Sequence, residues 1–100
     1  VRSVVKKAAE EKIVAAICAA PTVLADLGLL EGREATCYPG MEAQMRNAVC
    51  REEKVVQSGN IITGRGFGTA IDFALKLTEV LFGQEKKEEV REAIVYSAQE

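Results

Sequence analysis

The chain has 100 residues, 48% of them apolar and 28% charged, with a formal net charge of -2 and no histidine. This is the composition of a globular domain or part of one, not of a disordered or fibrous chain. It offers no global attraction to nucleic acid, no stretch near the roughly 18 apolar residues of a membrane span, and no histidine for a Ser-His-Asp triad, a Cys-His dyad or a His-ligated metal.

In chain order, residues 2–11 read as an amphipathic helix, with Val1, Val4, Val5 and Ala8 on one face and Arg2, Lys6, Lys7 and Glu10 on the other. Ile13–Ile17 is a continuous apolar run, expected of a parallel strand covered on both faces. Pro21–Leu27 reads as a short helix with Gly28 as its C-cap. Leu29–Gly32 turns the chain, and Glu34–Tyr38 is a short strand stopped by Pro39-Gly40. Met41–Arg46 is compatible with a short helix. Lys54–Gln57 and Asn60–Thr63 are strands around a tight, hairpin-like turn at Ser58-Gly59.

Gly64-Arg65-Gly66-Phe67-Gly68 leads into the longest helix, about Thr69 to Phe82. That helix has little polar surface and is expected to be largely buried, ending at Gly83. Glu85–Arg91 is a charged helical turn with a solvated face, and Ile94-Val95-Tyr96 a short apolar tail. Alternating strands and helices predict an α/β fold with a mostly parallel sheet. A hundred residues cover such a sheet poorly, so the chain reads as part of a doubly wound domain.

Three cysteines, Cys18, Cys37 and Cys50, lack any C-x-x-C spacing. They form neither a disulfide framework nor a zinc ribbon, and reduced thiols in a cytoplasmic protein are expected. No metal site and no cofactor is expected. Cys18 stands out because it lies between the apolar run and Ala19-Ala20-Pro21-Thr22. A thiol where a strand turns into a helix N-terminus has the position of a nucleophile elbow, where backbone N–H groups favour the thiolate. The same position also suits a small buried core cysteine. Cys37 and Cys50 read as passenger thiols, with a resolving partner for Cys18 as the alternative reading of Cys37. Gly64–Gly68 matches neither phosphate-binding fingerprint and reads as a tight strand-to-helix turn with Gly68 or Thr69 near the N-cap. Arg65 reads as an exposed cation pairing across a pocket or interface. Asp26, Glu42 and Asp72 read as lone solvated or capping carboxylates.

Three segments in order carry a family resemblance: Ala15-Ala16-Ile17-Cys18-Ala19-Ala20-Pro21-Thr22, then Ala35-Thr36-Cys37-Tyr38-Pro39, then Ile61 through Leu75 with its Gly-Arg-Gly-Phe-Gly loop. Together they resemble the DJ-1/ThiJ/PfpI superfamily, in its DJ-1/YajL-like branch, and residues 1–100 resemble only the C-terminal half of one such domain. The resemblance implies a flavodoxin-like (DJ-1-like) three-layer α/β sandwich, usually a homodimer, with Cys18 as the elbow cysteine. It further implies the Ala19 N–H as an anion-binding donor, and Tyr38, Pro39 and Gly66 as pocket lining. The family's acid beside the cysteine belongs to the N-terminal half, which must come from the same gene product or a second chain. The implied activity is glyoxalase- or deglycase-type chemistry on small reactive carbonyls. The alternative is a redox sensor or stress chaperone acting through oxidation of the same cysteine. A peptidase is least expected, because peptidase-like members carry a histidine directly after the cysteine and Ala19 stands there. DJ-1 itself has a histidine where this chain has Tyr38, a poor base at neutral pH.

Overall fold

A computed structural model describes residues 2–94. Val1 and the Val95-Tyr96 part of the expected apolar tail lie outside them, as do several side chains of the first helix. Helix α1 spans Arg2–Glu11, strand β1 Val14–Ile17 and helix α2 Pro21–Asp26. Strands β2 (Glu34–Ala35), β3 (Val49–Cys50), β4 (Val55–Ser58) and β5 (Ile61–Gly64) follow, then helices α3 (Ala70–Phe82) and α4 (Gln84–Ala93). Short 3-10 helices occupy Glu42–Met45 and Phe67–Thr69.

The main sheet has the order β1-β5-β4. β1 and β5 are parallel, Val14 opposite Ile61 and Ile17 opposite Gly64. β4 and β5 form an antiparallel hairpin closing at Ser58 opposite Ile61. Its two-residue loop starts with Gly59 at φ +61°, which L side chains rarely adopt. β2 and β3 pair in parallel as a separate ribbon.

Side chains alternate across a strand, so Val14, Ala16 and Ile61 share one face. That face packs with Leu24 and Ala25 of α2, Leu30, Ala35, Cys37 and Met45, and Val5 of α1 joins from the side. Ile17 and Gly64 lie on the opposite face, against Phe73 of α3: a Cβ on Gly64 would stand 2.7 Å from the Phe73 ring and 3.0 Å from Ile17. Helices thus lie on both faces, giving the three layers of an α/β sandwich. Helix α2 ends in a Schellman motif, with the Gly28 N–H donating to Ala25 O at 3.0 Å and the Leu29 N–H to Leu24 O at 3.1 Å. Asn60 is a hub. Its amide donates to the carbonyls of Ala9 at 2.7 Å and Lys12 at 2.6 Å, while its own carbonyl O accepts the Val14 N–H at 2.9 Å. It fastens the end of α1 to the start of β1.

Several expectations are corrected. β1 is not covered on both faces among the described residues: Ala16 is buried, but Ile13 and Ala15 are exposed, because β1 is the edge of the sheet. Helix α3 is not largely buried either. Only Leu75 is fully buried, and Ile71, Leu81 and Phe82 are exposed. On α1, Val4 is exposed while Val5 packs on the core. The strand expected at Glu34–Tyr38 pairs only at Glu34–Ala35, and its partner β3 has no periodicity long enough to read.

Candidate functional site

Cys18 follows the last residue of β1, two positions before the Ala20 N-cap of α2, and Pro21 fills an early helical position that needs no N–H. Its backbone is at φ +63°, one of two non-glycine residues among those described with positive φ. An L residue pays about 1–2 kcal/mol for that conformation. Two hydrogen bonds hold it there. The Cys18 N–H donates to Gly64 O at 3.1 Å, and its carbonyl accepts the Tyr38 N–H at 2.8 Å. The elbow is therefore clamped between the end of β5 and the segment after β2. The side chain is half-buried, so Cys18 is not a core thiol.

Ala19 is exposed, and its N–H finds no acceptor among the described residues. Its carbonyl accepts the Thr22 N–H at 3.1 Å and the Thr22 hydroxyl at 2.6 Å. An open donor thus stands next to the thiol. Tyr38 is half exposed, and its ring lies 3.9 Å from the point where a Cβ on Gly66 would be. The structure accordingly brings Cys18, Tyr38 and the Gly64–Gly66 segment together. Pro39 is exposed in the turn that follows. Gly66 precedes the 3-10 turn and exchanges hydrogen bonds with Thr69, its N–H donating to the Thr69 hydroxyl at 3.1 Å. That is the tight strand-to-helix turn the sequence predicts.

Arg65 is corrected from an exposed cation to a largely covered one, its side chain 18% exposed. Its guanidinium lies 3.7 Å from the Glu42 carboxylate and donates to the Thr36 hydroxyl at 3.4 Å and the carbonyls of Cys37 and Arg51 at 3.5 Å. Below it, the Thr36 N–H donates to the buried Thr63 hydroxyl at 2.9 Å. These contacts fix residues 36–38, and through the Tyr38 N–H they fix Cys18. Glu42, Asp26 and Asp72 are not lone carboxylates. Asp26 pairs with Arg46, and Asp72 lies 3.8 Å from Lys54. Sequence reasoning missed these pairings because each joins segments distant in the chain.

Cys37 is buried, and burial pushes its thiol up, with the Glu42 carboxylate and Cys50 adding to the rise and Arg65 opposing it. Cys50 is exposed as a residue, yet partial burial of its thiol and then Glu42 push it up as well. Among the described residues no cluster of three metal-binding side chains occurs, and no helix is long and apolar enough to cross a membrane. A groove of about 490 Å³ runs between α2 and the first 3-10 helix, lined by Thr22, Val23, Asp26, Ala43, Gln44 and Arg46; Cys18 does not line it.

The DJ-1/PfpI family model matches residues 1–80. The chain is 48% identical to Drosophila melanogaster protein DJ-1alpha over 87 residues, covering 85% of this chain and 40% of that protein. It is 41% identical over 76 residues to the glutathione-independent glyoxalase DJR-1.2 of Caenorhabditis elegans, covering 74% of this chain and 40% of the relative. The crystal structure of Drosophila melanogaster DJ-1beta superposes with a TM-score of 0.90 at 41% identity, over 96% of this chain and 53% of that one. The chain spans about half the length of the relatives it matches. The chain belongs to the DJ-1/PfpI family.

Proposed function

We propose that this DJ-1/PfpI chain carries the nucleophile of an activity on small reactive carbonyls, with Cys18 as the attacking thiolate. The observation that supports it best is the elbow. Cys18 is held at φ +63° by a hydrogen bond to Gly64 O and one from the Tyr38 N–H, so the thiol is carried on a strained turn pinned by two other segments. The unengaged Ala19 N–H beside it suits an oxyanion. The similarity to a glutathione-independent glyoxalase supports the substrate class.

In this reading the thiolate adds to the aldehyde carbon of a 2-oxoaldehyde, and the oxygen of the resulting hemithioacetal faces Ala19 N–H. A proton moves from the aldehyde carbon to the neighbouring carbon, giving a thioester of the 2-hydroxy acid. Water then cleaves the thioester and restores the thiol, so that 2-oxoaldehyde and water become 2-hydroxy acid. Tyr38 and Gly66 line the approach. The proton carrier is a carboxylic acid from a segment outside these residues, which also completes the sheet beside β1. The assembled protein is proposed to be a cytoplasmic homodimer.

Lactate formation from methylglyoxal by the full-length protein tests the reading. Cys18→Ala is expected to lose ~100-fold or more, the scale of one positioned catalytic group. Turnover unchanged in Cys18→Ala would sink it. Peroxide-driven oxidation of Cys18 without any lactate formation would favour the sensor alternative, which uses the same accessible thiol and N–H donor.

A further inference from the structure

Outside the elbow, the chain places two more thiols in one neighbourhood. β3 pairs with β2 so that Cys50 stands opposite Ala35, and paired residues of a parallel ladder project to the same side. Cys37 is two residues beyond Ala35. The backbones stay alongside past the strand ends, because one nitrogen of Arg65 donates to both the Cys37 and the Arg51 carbonyl, at 3.5 Å each. The Arg51 N–H also donates to Ala35 O at 2.8 Å. After burial, Glu42 raises the pKa of both thiols and Cys50 raises that of Cys37.

We propose that Cys37 and Cys50 form a redox site separate from Cys18, closing into an intramolecular disulfide in response to peroxide. Cys50 is exposed and is the entry thiol. Burial and Glu42 keep it mostly a thiol, so it is the minor thiolate fraction that reacts. That thiolate takes one oxygen from hydrogen peroxide to become a sulfenic acid, and the hydroxide released takes the proton lost by the thiol and leaves as one water. The Cys37 sulfur then attacks the Cys50 sulfur, forming the S–S bond and expelling a second water. Two thiols and one peroxide thus become one disulfide and two waters. Cys37 is buried, so the second step needs β3 to shift. β3 is two residues long and exposed, so local opening there is cheap. The bond would clamp β3 to the segment whose Tyr38 N–H holds the Cys18 carbonyl. The elbow would then be braced from the side opposite β5.

The test is peptide mapping of the full-length protein after hydrogen peroxide, with free thiols alkylated and no reductant. Trypsin cuts after Lys12, Arg33, Arg46 and Arg51, so Cys18, Cys37 and Cys50 fall on separate peptides, 13–33, 34–46 and 47–51. The expected product is peptide 34–46 joined to 47–51, two hydrogens lighter than the free pair and released by reductant. It persists in Cys18→Ala and disappears in Cys50→Ser. Cys37 left as a free thiol while Cys50 is oxidised alone would overturn the proposal, and so would Cys37 joined to peptide 13–33. The Cys18→Ala arm separates this proposal from the carbonyl reading, because the disulfide does not need Cys18.

Discussion

Cys18 has a backbone angle that only glycine adopts cheaply, and a side chain to which the proposed function gives the reaction. The protein keeps the thiol and offsets the strain with the bonds to Gly64 O and from Tyr38 N–H. Replacing Cys18 with glycine removes the strain and keeps both backbone bonds. Cys18→Gly is therefore expected to raise unfolding stability by about 1 kcal/mol while abolishing thiol reactivity, as read by urea denaturation. A loss of stability would mean that side-chain packing outweighs backbone strain at this turn. The location of Cys18 was legible in the sequence, because the apolar run, the small residues and Pro21 are neighbours in the chain. Its positive φ was not, since nothing but glycine announces that angle locally.

Helices α3 and α4 show how an element's pattern can mislead. The near-continuous apolar sequence of α3 reads as buried, yet Ile71, Leu81 and Phe82 are open to solvent in this chain. What joins the two helices on their polar side is Glu79, which takes Lys76 at 3.0 Å and Lys87 of α4 at 3.3 Å. Hydrogen bonds from Lys76 and then Lys87 lower the Glu79 pKa below its usual 4.5. A carboxyl with a depressed folded pKa stabilises above its unfolded pKa and loses that contribution as pH falls through the folded one. Glu79→Gln is thus expected to cost on the order of 0.5 kcal/mol at neutral pH, as a solvent-screened pair does. The difference from the parent should shrink in parallel denaturant titrations as pH falls below 4.5 and through the lowered folded pKa, where the parent carboxyl becomes protonated too. A difference independent of pH would assign the cost to packing.

At the scale of the whole molecule, β1 bonds among the described residues to β5 on one side only. The N–H groups of Val14 and Cys18 point toward β5, to Asn60 O and Gly64 O, so in the alternating pattern those of Ala15 and Ile17 point to the open edge. An unpaired edge is a template for another strand. The relatives are about twice as long, and the adjoining segment proposed above would pair there. Hydrogen exchange is then expected to show Ala15 and Ile17 amides protected in the full-length protein and fast in residues 1–100 alone. Equal fast exchange in both would remove β1 as the seam.

The sequence by itself determined the α/β class, most element positions, the strand-to-helix turn at Gly64–Gly68 and the elbow at Cys18. Each of these depends on residues within a few positions of one another, through periodicity, turn chemistry and capping. Only the tertiary structure decided that Arg65 is covered by Glu42 and Thr36, that Asp26 meets Arg46, and that Asn60 closes α1. It also decided that Cys50 pairs opposite Ala35, two residues before Cys37, and that the Tyr38 N–H holds the Cys18 carbonyl. These contacts join residues about 15 to 51 positions apart, and what brings them together is strand register and the packing of the shared core, which no local pattern encodes.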